Sequence, residues 1–129
     1  MKIELMRFKV KSDKSAVVDQ WMQVLNERLA ECLATFEREQ MYLEMIFREK
    51  IGDADFLYWF SMQGEAGLAV QTSEHAIDKV HLKFWDECID RDYKPVDCAL
   101  QVAMIPSYLA ALMKPQTSPD SENSSNEGI

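Results

Sequence analysis

Apolar and polar positions alternate, change period and alternate again along the chain, and each change marks an element. Ile3–Lys11 is rich in β-formers, with Ile3 and Leu5 on one parity and Met6, Phe8 and Val10 on the other. That pattern predicts a strand apolar on both faces or one carrying a bulge. Ser12 and Asp13 supply helix-capping chemistry. Val17, Trp21, Leu25, Leu29, Cys32 and Phe36 then recur at three- and four-residue steps, with Asp19, Gln23, Glu27, Glu31 and Glu37 on the opposite side. The spacing predicts one amphipathic helix of about 26 residues, on the order of 40 Å long. From Met41 the period falls to two: Met41, Leu43, Met45 and Phe47 share one face, and Tyr42, Glu44, Ile46 and Arg48 the other. Gly52-Asp53-Ala54-Asp55 is turn chemistry, and Phe56–Gln63 reads as the returning strand of a hairpin. Gly64 and Gly67 bound a loop, and Thr72 or Ser73 caps a second helix reaching about Ile89, with Ile77, His81, Phe84 and Cys88 on its stripe. Cys98–Ile105 is the fourth strand, ended by Pro106, and Tyr108–Met113 is a short terminal helix.

The resulting order, β-α-β-β-α-β, predicts an α+β, ferredoxin-like sandwich: a four-stranded antiparallel sheet with two helices on one face. Residues 1–114 form that domain. Residues 115–129, PQTSPDSENSSNEGI, have no aromatic or basic side chain and read as a disordered acidic, Ser-rich tail. The more apolar parities of the last three strands (Met41 to Phe47, Phe56 to Met62, Cys98 to Met104) are expected under the helices. The other side then shows Glu44, Ile46, Arg48, Leu57, Trp59 and Ile105, joined by Leu5, Arg7 and Lys9 of the first strand. Such a surface is too apolar for water, and a second copy is the simplest cover. The expectation is a homodimer through the helix-free sheet face, with Glu44 and Arg48 pairing inside it or lining a cavity.

Composition narrows the partners. The chain has 129 residues, 47% of them apolar, and a formal charge of −8. An acidic chain is a poor ligand for phosphate backbones, so nucleic acid is not expected. The longest unbroken apolar stretches, Phe56–Phe60 and Tyr108–Met113, fall far short of the roughly 20 residues of a membrane span. Met1–Asp13 lacks the apolar run of a secretory signal, and Cys32, Cys88 and Cys98 show no metal spacing. A reducing cytoplasm is the expected compartment, with the three cysteines as core filler.

The long first helix, the aromatic hairpin, and segments MYLEMIFREK, DFLYWFSMQGE and SEHAIDKVHLKFWDECID resemble the dimeric α+β-barrel superfamily. That group includes the antibiotic-biosynthesis monooxygenase-like and haem-degrading monooxygenase-like proteins. FWDECID and KPVDCALQVAMIPSYL are also similar to the end of the rhamnose-mutarotase-like proteins. The resemblance implies the fold and a dimer. Taken with the mixed polar–aromatic strand face, it leads to the expectation of a pocket for a small organic molecule, with cofactor-independent monooxygenase- or isomerase-like chemistry. Enzymes of the group use His, Trp and Asn side chains, and the one early asparagine here is Asn26.

Both histidines lie in the second predicted helix, where His75, Asp78 and His81 read H-x-x-D-x-x-H. Asp78 is an i,i+3 neighbour of each imidazole, the arrangement of a general base with an orienting carboxylate. The six-residue His separation does not match the four of a zinc helix, so no metal is expected, and no cofactor. His81 on the apolar stripe also fits a hydrogen-bonded core histidine, and His75 a solvent-facing or capping one. The candidate catalytic residues are therefore His81, Asp78 and His75. The candidate substrate-binding residues are Glu44, Arg48, Trp59 and Trp85. The competing reading is a non-enzymatic dimeric regulatory or stress-related protein that contacts a partner through its acidic surface or tail.

Overall fold

Eight residues at the N-terminus, Lys2–Lys9, form β1, the strand on which the rest of the sheet is built. The computed structural model describes residues 1–65 and 73–113; the expected Gly67 loop position, the Thr72 cap and the tail 115–129 lie outside them. After β1 come α1 (Ser15–Glu27), α2 (Leu29–Ala34), α3 (Phe36–Glu39), β2 (Met41–Ile51) and β3 (Ala54–Gln63). Following the undescribed segment come α4 (Ala76–Cys88), β4 (Val96–Cys98) and α5 (Ser107–Ala110). The four strands make one sheet in the order β2-β3-β1-β4, all neighbours antiparallel. The protein is thus α+β with a four-stranded antiparallel sheet. The β2–β3 hairpin closes through Gly52 and Asp53, with Ile51 opposite Ala54 and Gly52 at a φ of +61°. Glycine occupies the first central position of that two-residue loop, where a side chain would be strained.

The single helix of about 26 residues expected after Asp13 is in fact three. Arg28, at φ −109° and ψ 32°, interrupts it after Glu27, and Thr35 interrupts it again. Both breaks sit beside a side chain that competes for helix carbonyls: Asn26 donates to the Met22 carbonyl at 2.9 Å, and Thr35 to that of Cys32 at 2.8 Å. Leu29, expected on the buried stripe, is consequently exposed.

Register decides the faces. Met6 lies opposite Trp59 and Trp59 opposite Ile46; Phe8 lies opposite Leu57 and Leu57 opposite Arg48. Directly opposed residues share a face, so Glu44, Ile46, Arg48, Leu57 and Trp59 stand together. Leu57 is 0% exposed and packs with Val10, Val18, Trp21, Cys88 and Ile89 in the core under α1 and α4. This overturns the expected orientation of β2, β3 and β4, because the mixed polar–aromatic face is the one beneath the helices. Met45 and Phe47, placed by pattern under the helices, are 50% and 57% exposed. Leu5, Arg7 and Lys9 of β1 face away from the helices as expected, but they do so alongside Phe60, Tyr58 and Phe56 and not with the Leu57 and Trp59 they were expected to join. Both faces are apolar enough to be buried, and alternation alone does not say which one the helices choose.

β4 is also shorter than expected. It pairs only Val96–Cys98 with β1, and residues 99–105 continue without a ladder partner among the described residues. The chain leaves the sheet there and brings α5 to a corner where Leu109 and Leu112 line a second concavity with Leu33, Phe36 and Leu43. Leu100, Val102 and Met104 keep their strand alternation but are exposed, Met104 at 88%.

Candidate functional site

Between the inner sheet face and the helices lies a cleft of about 780 Å³. Its floor comes from β1, β2 and β3, which present Met6, Glu44, Ile46, Trp59 and Ser61 by the alternation of their strands. α4 supplies Asp78, His81 and Trp85, whose i,i+3 and i,i+4 spacings put them on one side of the helix. α2 and α3 close the remaining side with Cys32 and Glu39.

Aromatic rings frame this space. Trp59 lies 5.2 Å from Trp85, 5.4 Å from His81 and 5.6 Å from Trp21, centroid to centroid. Trp21 stacks at 4° on Phe84, so the adjacent Phe84 and Trp85 both reach the interior: one against α1, the other along the cleft. Trp21 donates its indole N–H to His81 Nδ1 at 3.1 Å. An accepting Nδ1 leaves the ring proton on Nε2 of a neutral imidazole. Burial drives the His81 pKa down to about 4 against the opposing pull of Asp78, so the ring stays neutral at physiological pH.

Three carboxylates converge on the same side. Glu44 accepts the Trp59 indole N–H at 2.8 Å. Burial raises its pKa, and Asp78 raises it further, against the lowering by that hydrogen bond. Glu39 is pushed up to about 7 by burial and by the charges of Asp78 and Glu44, which outweigh Arg38 and Thr35. Asp78 is only 6% exposed, and its Oδ2 is sealed from solvent with no hydrogen bond from any described residue. Cys32 sits beside this acidic group, and burial together with Asp78, Glu44 and Glu31 raises its thiol, which disfavours a nucleophilic thiolate.

Of the residues expected from sequence, His81, Asp78, Glu44, Trp59 and Trp85 share the cleft, together with Asn26. His75 does not. It is exposed at the residue before α4, where its backbone N–H donates to Ser73 Oγ at 3.1 Å. Arg48 is absorbed elsewhere: it does not pair with Glu44 but holds Asp55 through Nε at 3.0 Å and Nη2 at 2.6 Å, the Ser15 carbonyl at 3.0 Å, and Asp19. Ser15 Oγ donates to the same Asp55 at 2.9 Å, so this cluster ties α1 to the hairpin. Glu39 was not among the expected site residues. Its signal was present, because it follows Phe36 by three and so continues the apolar stripe of the preceding helix.

Among the described residues, no group of three or more His, Cys, Asp or Glu side chains is arranged to hold a metal ion. Nor is any helix there long and apolar enough to cross a membrane. No curated protein matches the chain. A family model does match it over residues 1–111, and the chain belongs to that family, DUF6176, a family of unknown function.

Proposed function

We propose that the protein is a homodimer that binds a small organic molecule in the cleft between its helices and its sheet. The observation that carries this reading is the convergence of Glu39, Glu44, Asp78 and His81 with the indoles of Trp59 and Trp85 on one cleft. Buried polar groups cost stability unless something pairs with them. A face needed only for packing would be filled by aliphatic side chains. A largely apolar concavity with a few converging polar groups suits a ligand.

Isomerase-like proton transfer is the chemistry best supported. Glu39, with a pKa of about 7, is matched to accepting a proton from one ligand atom and returning it to another at neutral pH. Such a step needs no reactant beyond the ligand. The strand order β2-β3-β1-β4 supports the ferredoxin-like reading.

The dimer is supported by the other side of the sheet. Met45 and Phe47 there, and Leu100, Val102 and Met104 beyond β4, are exposed apolar side chains of the kind that mark an interface. A twofold partner would cover them.

Thermal-shift measurement of the full chain against a panel of small organic metabolites tests the cleft. At least one compound should raise the melting temperature, and a Trp59→Ala/Glu44→Ala variant should lose the shift. A panel with no stabilising compound, or shifts untouched by those substitutions, overturns the reading.

A further inference from the structure

We infer that the ligand of this cleft is a small organic cation, an amine with an aromatic or aliphatic body, whose N–H groups are received by Asp78 with Glu44 and Glu39 beside it. The inference rests on the cleft being a ligand site and deepens it to a chemical class. Among the described residues lining the cleft are five carboxylates, Glu4, Glu39, Glu44, Asp78 and Asp86, against one guanidinium, Arg91. The outer charges are answered locally: Arg91 pairs with Asp86, and Lys2 with Glu4 at 3.3 Å. The inner three lie close enough for Asp78 to act on both glutamates and on His81. His81 does not neutralise them, since its ring carries no charge, and the pull of Arg38 on Glu39 is outweighed by burial and the neighbouring carboxylates.

Asp78 adds a separate observation. Its Oδ2 is buried and accepts no hydrogen bond from the described residues, on a residue that borders the cleft. Sealed acceptors are normally satisfied, because leaving one bare costs its desolvation. An ammonium N–H is the donor that suits both an unpaired carboxylate and the surplus negative charge. The rest of the wall suits the same ligand. Trp59 and Trp85 offer indole surfaces, which attract a cation electrostatically and pack against its apolar body. The net charge of −8 favours approach of a cation over an anion.

The test is isothermal titration of the full chain with three near-isosteric probes: 2-phenylethylamine, 2-phenylethanol and phenylacetate at pH 8. The amine should bind at least tenfold tighter than the alcohol, and phenylacetate more weakly than either. Asp78→Asn, which keeps shape and removes charge, should cut amine affinity tenfold or more and leave the alcohol within twofold. Glu44→Gln, read the same way, serves if Asp78→Asn fails to fold. Alcohol or phenylacetate binding as tight as the amine overturns the cation inference while leaving the cleft a ligand site. Silence of all three probes overturns it too. Failure of the cleft reading itself is distinguished by the absence of any stabilising compound in the wider metabolite panel.

Discussion

The indole N–H of Trp21 and Nδ1 of His81, sixty residues apart in sequence, meet at 3.1 Å and join α1 to α4. Trp21 is fully buried and touches the rings of Trp59, Phe84 and Trp85 as well. Replacing it with Phe removes ring volume and leaves the His81 acceptor without its donor. Trp21→Phe should therefore lower stability by about 2–4 kcal/mol, read from urea midpoints at constant slope. A loss under 0.5 kcal/mol would show that the pair contributes nothing to holding the helices together.

Two groups of the cleft give stability opposite dependences on pH. His81 has its pKa lowered from its ordinary value to about 4, so the unfolded chain binds the proton more readily. Its contribution is fully present above the ordinary histidine pKa and is lost as pH falls from there through about 4. Glu39 is raised to about 7, so the folded state binds the proton more readily, and its contribution is present at low pH and lost as pH rises through about 7. Glu44, also raised, acts in the same direction as Glu39. Between pH 5 and 7 the terms oppose one another. Relative to wild type, Glu39→Gln should make stability climb more steeply with pH over that interval, and His81→Gln should make it climb less or decline. Each change should be on the order of 1–3 kcal/mol, measured by chemical denaturation at both pH values. Identical slopes in all three proteins would contradict the assignment.

Arg48 holds a carboxylate that water barely reaches. Burial works against ionised Asp55, yet hydrogen bonds from Arg48 and Ser15 keep its pKa below the usual carboxylate value. Arg48→Met strands that charge, and should cost about 3–5 kcal/mol, seen as a lower denaturation midpoint. Affinity for any cleft ligand, measured well below the new melting temperature, should stay within twofold. Lost binding in a folded Arg48→Met protein would return Arg48 to the site.

The uncovered sheet face offers a direct oligomer test. Phe47→Lys places a charge on the exposed outer face of the edge strand β2 and leaves the inner face alone. Wild type should sediment as a dimer at micromolar concentration and Phe47→Lys as a monomer. A wild-type monomer at all accessible concentrations removes the dimer.

Gln40 adopts a left-handed conformation, φ 51°, at the end of α3, and its Oε1 is buried without a partner among the described residues. Glycine takes that conformation without strain. Gln40→Gly should therefore be neutral or stabilising by up to about 1 kcal/mol, checked by thermal unfolding, whereas a clear loss would reveal a role for the side chain.

Periodicity in the sequence carries the α+β class, the four strands and most residues of the candidate cleft. His81, Asp78, Glu44, Trp59 and Trp85 were legible because a histidine on an apolar stripe and a carboxylate on a strand face break the expected pattern. What the pattern could not decide was orientation. Leu57 and Phe56 are equally suited to burial, and the choice fell to the partners the helices bring: Trp21 and His81 accommodate Trp59 but offer nothing to Met45 or Phe47. The helix breaks at Arg28 and Thr35 were hidden because neither involves glycine or proline. The early end of β4 was hidden because alternation continues to Met104 after pairing has stopped.

The chain has three tryptophans, and all of them belong to the ring cluster at the cleft wall. Ultraviolet emission from this molecule is consequently a local signal. Unfolding, a lodger beneath the helices or a shift of α4 will each change its colour or brightness, while events at the hairpin tip or along the outer strands stay dark.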